Sequence, residues 1–308
     1  MSRFALRLKG VEKRYGKTRA LDGLTLDVPR GALMGLVGPN GAGKTTTFGV
    51  VSGAVRPDAG HVDVLGEGPF DPARHAGRMT VLPQDCALNP SSSARQILAF
   101  QARLQGLTAK AAAREADRVL ELVRLSDRAG SRVSQLSHGM KRRLAVAQAL
   151  LGDPELVLLD EPTGGLDPHL VVAMREILGA QRGQRTVVVS SHILADLEAT
   201  CDHVAFMEDG RCQKSGPVEE VTRRGALVRI QLAEPMRLEQ LAAILDGRDP
   251  ELEGDVLRYH LSPGEDPAEV QRALLPALIE AGAGVLEVRL GESLEAAYMS
   301  SRSRRDDR

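Results

Sequence analysis

No stretch of the chain approaches the roughly 18 consecutive apolar residues that a bilayer-spanning helix needs, so no segment is expected to cross a membrane. Charge of one sign is also missing. Forty Lys and Arg stand against 41 Asp and Glu, a net −1, which gives no general electrostatic drive toward nucleic acid. Cysteine is scarce. Cys86, Cys201 and Cys212 are odd in number and show no C-x-x-C spacing, which argues against a disulfide framework or a zinc site and suits a reducing cytosol. The start, Met1 to Arg7, lacks a long apolar segment and does not read as a signal peptide. No internal repeat is evident, and no low-complexity tract before the arginine-rich end. The expectation is a cytosolic enzyme whose 308 residues hold one large domain and a small one.

What is present is specific. Gly38-Pro39-Asn40-Gly41-Ala42-Gly43-Lys44-Thr45 fits G-x-x-x-x-G-K-[ST]. An apolar run of strand length, Ala32 to Val37, precedes it. A Pro-free stretch that reads as a helix, Lys44 to Val51, follows. A Gly-rich loop between strand and helix turns backbone N–H groups inward as a nest for phosphate. Lys44 is expected to reach the β- and γ-phosphates, and the Thr45 hydroxyl to bind Mg²⁺. The chain therefore binds a nucleoside triphosphate on this reading.

About 115 residues on, Leu156-Val157-Leu158-Leu159-Asp160-Glu161 is an apolar run ending in two carboxylates. A continuous apolar strand suits a central parallel position covered on both faces. Asp160 at its end is expected to hold Mg²⁺. Strand alternation turns Glu161 the other way, toward an attacking water. Phosphoryl transfer needs charge neutralisation, in-line placement and a group to orient water. His192 closes Val187-Val188-Val189-Ser190-Ser191, a run that opens on β-branched residues, at the carboxyl end of a parallel strand, the edge where open α/β sheets bind ligands. Ser137 is a good N-cap for a helix from Met140 to Leu151, whose N-terminus suits an anion. Tyr15 could stack on a purine.

These motifs, in this order over about residues 4 to 217, identify the chain as similar to the nucleotide-binding subunits of ABC transporters. The implied fold class is α/β: a P-loop core of ABC type with antiparallel β and helical subdomains. By that resemblance Tyr15 stacks on adenine, and Gly38 through Thr45, with Thr46, form the Walker A motif. Gln84, in Leu82-Pro83-Gln84-Asp85, matches the Q-loop, which senses Mg²⁺ and contacts the membrane partner. Leu136-Ser137-His138-Gly139-Met140 looks like the signature, Leu156 to Asp160 like Walker B, and Gly164 to Asp167 like the D-loop. Glu161 stands as the catalytic base and His192 as the γ-phosphate switch, with Thr45, Gln84 and Asp160 placing the metal. Ser137 and Gly139 would meet the nucleotide of a second copy in a head-to-tail dimer with two ATP molecules between. The chain has His138 and Met140 where the family has Gly and Gln. Ser137 and Gly139 keep the hydroxyl and the close backbone approach, so a working site is expected.

Domain organisation follows from pattern changes. Residues 1–220 read as the nucleotide-binding domain. Its helical subdomain, about 90–152, holds helices at Ala94–Leu107 and Thr108–Leu125. Strands are expected at Phe4–Val11, Leu24–Val28 and Gly60–Leu65. Composition shifts near Thr222 to Gly225. Beyond it, strands at Leu227–Leu232, Val256–Leu261 and Val285–Leu290 alternate with helices at Leu238–Leu245 and Pro267–Glu280. This makes a small α+β domain over 221–300, with a short helix at Ser293–Met299. Residues 301–308 read as a disordered tail. Such an extension resembles ATP-binding subunits of type-2 ABC exporters, among them drug-resistance and copper-maturation subunits. That resemblance implies an ATPase at the cytoplasmic face of the inner membrane, powering a separate polytopic permease, with ATP and Mg²⁺ as its cofactors. The permease, not this chain, would select cargo. The alternative is a soluble ABC-type ATPase acting on ribosomes or DNA. Such relatives carry two cores or long coiled-coil inserts, and this chain has neither.

Overall fold

The structure, a computed structural model, describes residues 2–222, 227–234, 236–245, 248, 250–262, 265–291 and 293–299. The expected tail at 301–308 and most of the 222–225 turn lie outside the described residues. The chain divides into two compact units, Met1–Ser215 and Gly216–Arg308.

The first unit runs β1 (Phe4–Tyr15), β2 (Thr18–Pro29), β3 (Leu33–Val37), α1 (Lys44–Val51), β4 (Ala59–Val64), α2 (Pro72–His75) and β5 (Met79–Leu82). It continues α3 (Ala94–Leu104), α4 (Ala109–Leu122), α5 (His138–Ala149), β6 (Leu156–Asp160), α6 (Pro168–Gly179), β7 (Thr186–Ser191), α7 (Leu194–Thr200), β8 (His203–Glu208) and β9 (Arg211–Pro217). β1 pairs antiparallel with β2 and β4. Leu24, Leu26 and Val28 point into the core while Thr25 and Asp27 face out, the period of a half-buried strand. Both strands run longer than their alternation suggested, because register shifts between Leu8 and Lys13 break the pattern without ending the pairing.

A six-stranded sheet lies in the order β5-β6-β7-β3-β8-β9, with its first five strands parallel. Every residue of β3, β6 and β7 is buried, as expected for strands covered on both faces. The core joins Leu6, Leu8 and Val28 of the antiparallel sheet to Met34, Leu158 and Val188 of the parallel one, with Phe48 and Val51 of α1 between. Because β3, β6 and β7 are adjacent and parallel, the loop after β3 and the ends of β6 and β7 meet at one edge.

The helical stretch is shorter at its ends than the apolar spacing predicts. Gly106, at φ 93°, and Arg124, at φ 56°, turn the chain out of α3 and α4. Ser93 and Gln96 close a reciprocal cap on α3, and Thr108 Oγ1 accepts the Ala111 N–H at 3.3 Å. α5 begins at His138, two residues before the expected start, directly behind its cap Ser137.

The second unit holds α8 (Val218–Val221), β10 (Leu227–Leu232), α9 (Leu238–Ile244), β11 (Glu251–Glu253), β12 (Val256–His260), α10 (Pro267–Glu280) and β13 (Val285–Leu290). Its antiparallel sheet runs β11-β12-β10-β13, the split β-α-β-β-α-β arrangement. Val228, Ile230, Leu257 and Tyr259 form a core with Leu241, Val270 and Leu278. The sequence pattern did not reveal β11, whose three residues are too few to alternate visibly. Residues 294–299 are helical.

Candidate nucleotide site

The loop between β3 and α1 is built by two glycines with no room for a side chain. A Cβ on Gly38 would stand 2.3 Å from the Met207 carbonyl oxygen, and one on Gly43 2.5 Å from that of Ala20. Gly43 also holds φ at 100°, a left-handed backbone that lets α1 start without a side-chain cap. The first-turn N–H groups of α1 have no acceptor within the helix and face the cleft from its positive end. Lys44 is buried, and its ammonium donates to the Gly38 oxygen at 2.7 Å and the Pro39 oxygen at 3.2 Å. Its Nζ stands 3.8 Å from Glu161 Oε1. Burial pushes the Lys44 pKa down, and the Glu161 and Asp160 carboxylates oppose that shift.

β6 brings Asp160 to the same edge. Thr45 Oγ1 donates to Asp160 Oδ2 at 2.7 Å, and Ser190 Oγ of β7 donates to Asp160 Oδ1 at 2.5 Å. Ser190 Oγ also accepts the Glu161 N–H at 2.9 Å. Glu161 does not continue the strand, so alternation does not set its direction. It lies one residue past β6, at φ 49°, a left-handed conformation that costs a non-glycine residue about 1–2 kcal/mol. That turn aims its carboxylate at His192, whose Nδ1 donates to Oε2 at 3.0 Å.

These groups line a cleft of about 800 Å³. Asn40, Gly41, Gly43, Lys44, Thr45 and Thr46 of the loop and α1 line it together with Gln84, Asp160, Glu161 and His192. His138 also lines it, with its Nε2 beside Gly165. Not every expected residue faces the cleft. The Gly38 and Pro39 carbonyls turn to Lys44, and Ala42 is buried, its N–H donating to the Pro39 oxygen. Tyr15, at the end of β1, is half exposed and stands with Lys13 Nζ 5.6 Å from its ring, while Thr18 and Ala20 line the cleft nearby. Ser137 Oγ accepts the Met140 N–H at 3.3 Å, and Gly139 is buried where a Cβ would press to 2.4 Å on Leu170 Cδ1.

Two participants escaped the sequence reading. Ser190 was legible only as a polar residue in a buried strand two positions before His192. Arg142 looked like one of several basic residues on α5. Its guanidinium donates to the carbonyl oxygens of Gln84 (2.9 Å), Asp160 (2.9 Å), Glu161 (2.5 Å) and Pro162 (3.2 Å).

Residues 21–164 match the ABC transporter family. The chain is 36% identical over 300 residues to the daunorubicin resistance ATP-binding protein DrrA3 of Streptomyces coeruleorubidus, covering 94% of this chain and 93% of that one. It is 41% identical over 214 residues to the Nod factor export ATP-binding protein I of Burkholderia orbicola (strain AU 1054), covering 68% and 70% of the two chains. Among solved structures, an ATP-binding subunit of an ABC transporter superposes with a TM-score of 0.62 at 28% identity, over 72% of this chain and 93% of that one. So does cbiO1 from Clostridium perfringens, part of the ABC transporter complex cbiONQ, with a TM-score of 0.64 at 27% identity, over 71% of this chain and 91% of that one.

Proposed function

We infer the following from the premise that this chain belongs to the ABC transporter family and is an ATP-binding, ATP-hydrolysing subunit. It drives export through a separate polytopic permease, and it works as a head-to-tail pair docked on the inner face of the membrane. Similarity to a daunorubicin resistance ATP-binding protein over nearly the whole chain, and to a Nod factor export ATP-binding protein over about two thirds of it, supports the direction of transport. Among the described residues no helix is long and apolar enough to cross a membrane.

The observation that carries the catalytic reading is the convergence of Lys44, Thr45, Asp160, Glu161 and His192 on one cleft. Lys44 and the first-turn N–H groups of α1 bind the phosphates. The Thr45 hydroxyl and Asp160 carboxylate offer hard oxygen donors, which suit Mg²⁺, and Gln84 lines the same cleft. Bound there, Mg²⁺ would neutralise phosphate charge. Glu161 orients and deprotonates the attacking water, and His192 holds the Glu161 carboxylate and steadies the terminal phosphate. Thr46 with Asn40, Gly41 and Gly43 completes the nucleotide cradle, Gly38, Pro39 and Ala42 shape the loop behind it, and Tyr15 would stack on adenine. Ser137 and Gly139, at the start of α5, present a helix N-terminus to the nucleotide of the second copy.

Affinity capture of the tagged full chain from detergent-solubilised membranes tests this function. A stoichiometric polytopic membrane protein is the expected partner. Recovery with ribosomes or nucleic acid instead would favour the soluble ABC-type ATPase.

A further inference from the structure

We infer that Arg142 is a positioning residue for hydrolysis, which fixes the Glu161 turn and makes it answer to the place of α5. The inference rests on the reading of Glu161 as the water-activating base. The four hydrogen bonds of the Arg142 guanidinium all end on backbone carbonyls, from two separate segments. Three acceptors are consecutive, Asp160, Glu161 and Pro162, in the turn that leaves β6. The fourth is Gln84, just past β5.

The physical need for this cation is local. Glu161 holds a left-handed backbone, which persists only where its surroundings over-determine it. Its N–H is fixed by Ser190 and its carboxylate by His192. Its carbonyl is fixed by Arg142, with the Gly164 N–H as a second donor at 3.0 Å. Carbonyls in a partly buried turn need donors. A planar fork of five N–H groups can reach several of them at once, while an ammonium is a single point. Burial pushes the Arg142 pKa down, with the nearby Asp160 and Glu161 carboxylates among the groups opposing it, and the side chain is only partly exposed.

The consequence concerns coupling. Arg142 sits one turn into α5, the helix that begins behind Ser137. A shift of α5 relative to the sheet would move the guanidinium and with it the Glu161 carbonyl and the loop at Gln84. Placement of a catalytic base by 1 Å changes rates by up to about 100-fold. Arg142 therefore gives the chain a direct link from the helix facing the second copy to the carboxylate that activates water.

The test is steady-state ATP hydrolysis by the full chain, with nucleotide affinity read separately from the fluorescence of a labelled ATP analogue. Arg142→Ala and Arg142→Lys should both lower kcat by about tenfold or more, while KM and nucleotide affinity stay within about twofold of the parent. Added guanidinium ion should restore part of the Arg142→Ala rate, at concentrations that leave the parent unaffected. Arg142→Lys keeps the charge and the stem, so it carries the test if the alanine variant does not fold. Parental kcat in Arg142→Lys would overturn the proposal. So would a kcat loss matched by an equal loss of nucleotide affinity with no guanidinium rescue, which is the mark of a purely structural role. Glu161→Gln, measured alongside, separates the two readings: if it still turns over ATP, the base assignment fails whatever Arg142 does.

Discussion

Thr45 Oγ1 donates a hydrogen bond of 2.7 Å to Asp160 Oδ2, joining the end of the phosphate loop to the end of a strand 115 positions further along the chain. The two oxygens proposed to hold the metal are thus already adjacent, held by α1 and β6. The same edge places Ser190 beneath Asp160 and Glu161. The geometry of the cleft follows from parallel neighbours in the sheet.

Replacing Glu161 by Gln removes the proposed base but keeps the side chain's size. Turnover should fall by about 100-fold or more, while ATP still binds. Size-exclusion chromatography with ATP should then show a trapped dimer. Turnover at the parental rate would remove Glu161 from the mechanism.

Lys44→Ala deletes the ammonium that bridges the Gly38 and Pro39 carbonyls and faces the cleft. A buried charge-assisted donor contributes about 1.5–3 kcal/mol, so nucleotide Kd should rise by about tenfold or more. Titration with a fluorescent ATP analogue reads this directly.

Gly41 and Gly43 separate strain from clash. Both hold positive φ, but a Cβ on Gly41 meets open space, whereas one on Gly43 lies 2.5 Å from the Ala20 oxygen and 2.9 Å from Leu21 Cδ2. Gly41→Ala should cost about 1 kcal/mol of backbone strain. Gly43→Ala must also displace β2 or the loop, and should lower Tm further and weaken nucleotide binding more. Thermal melts of the pair with and without ATP rank them.

Ser190→Ala leaves the Glu161 N–H without its acceptor and Asp160 Oδ1 without its donor. An unpaired buried group costs about 1–3 kcal/mol. Stability should drop by that order, and kcat should fall with KM little changed. Denaturant titration together with ATPase kinetics checks both.

Glu265 gives a pH prediction in the second unit. Arg248 grips its carboxylate with bonds of 2.6 and 2.8 Å, and the Ser262 N–H adds another at 2.7 Å. The Arg248 guanidinium, with that N–H, holds its pKa down at about 2 from 4.5. A depressed carboxylate stabilises the fold above its unfolded pKa, and that contribution is lost as pH falls from about 4.5 toward 2. The Tm gap between the parent and Glu265→Gln should therefore be widest near pH 6 and shrink as the solution is acidified below pH 4.5. A gap independent of pH would contradict it.

Much of the candidate cleft's lining was legible in the sequence. The form of the Gly38 to Thr45 loop lies in local spacing, since a glycine-rich loop between strand and helix is shaped by its own backbone. β3 and β6 announced themselves as apolar runs, and β7 by its three valines, because both their faces are covered. In the second unit β10, α10 and β13 have the bounds that the sequence pattern predicts, Leu227–Leu232, Pro267–Glu280 and Val285–Leu290. Tertiary structure alone decided what depends on neighbours distant in sequence. Strand order put Thr45, Asp160 and Ser190 in contact, and it turned Glu161 by a left-handed step that alternation along β6 does not foretell. It also singled out Arg142 among the basic residues of α5, because the carbonyls it binds come from two loops that only the folded sheet brings together. A side chain's partners along the backbone are written in spacing; its partners across the sheet are fixed only when the strands pair.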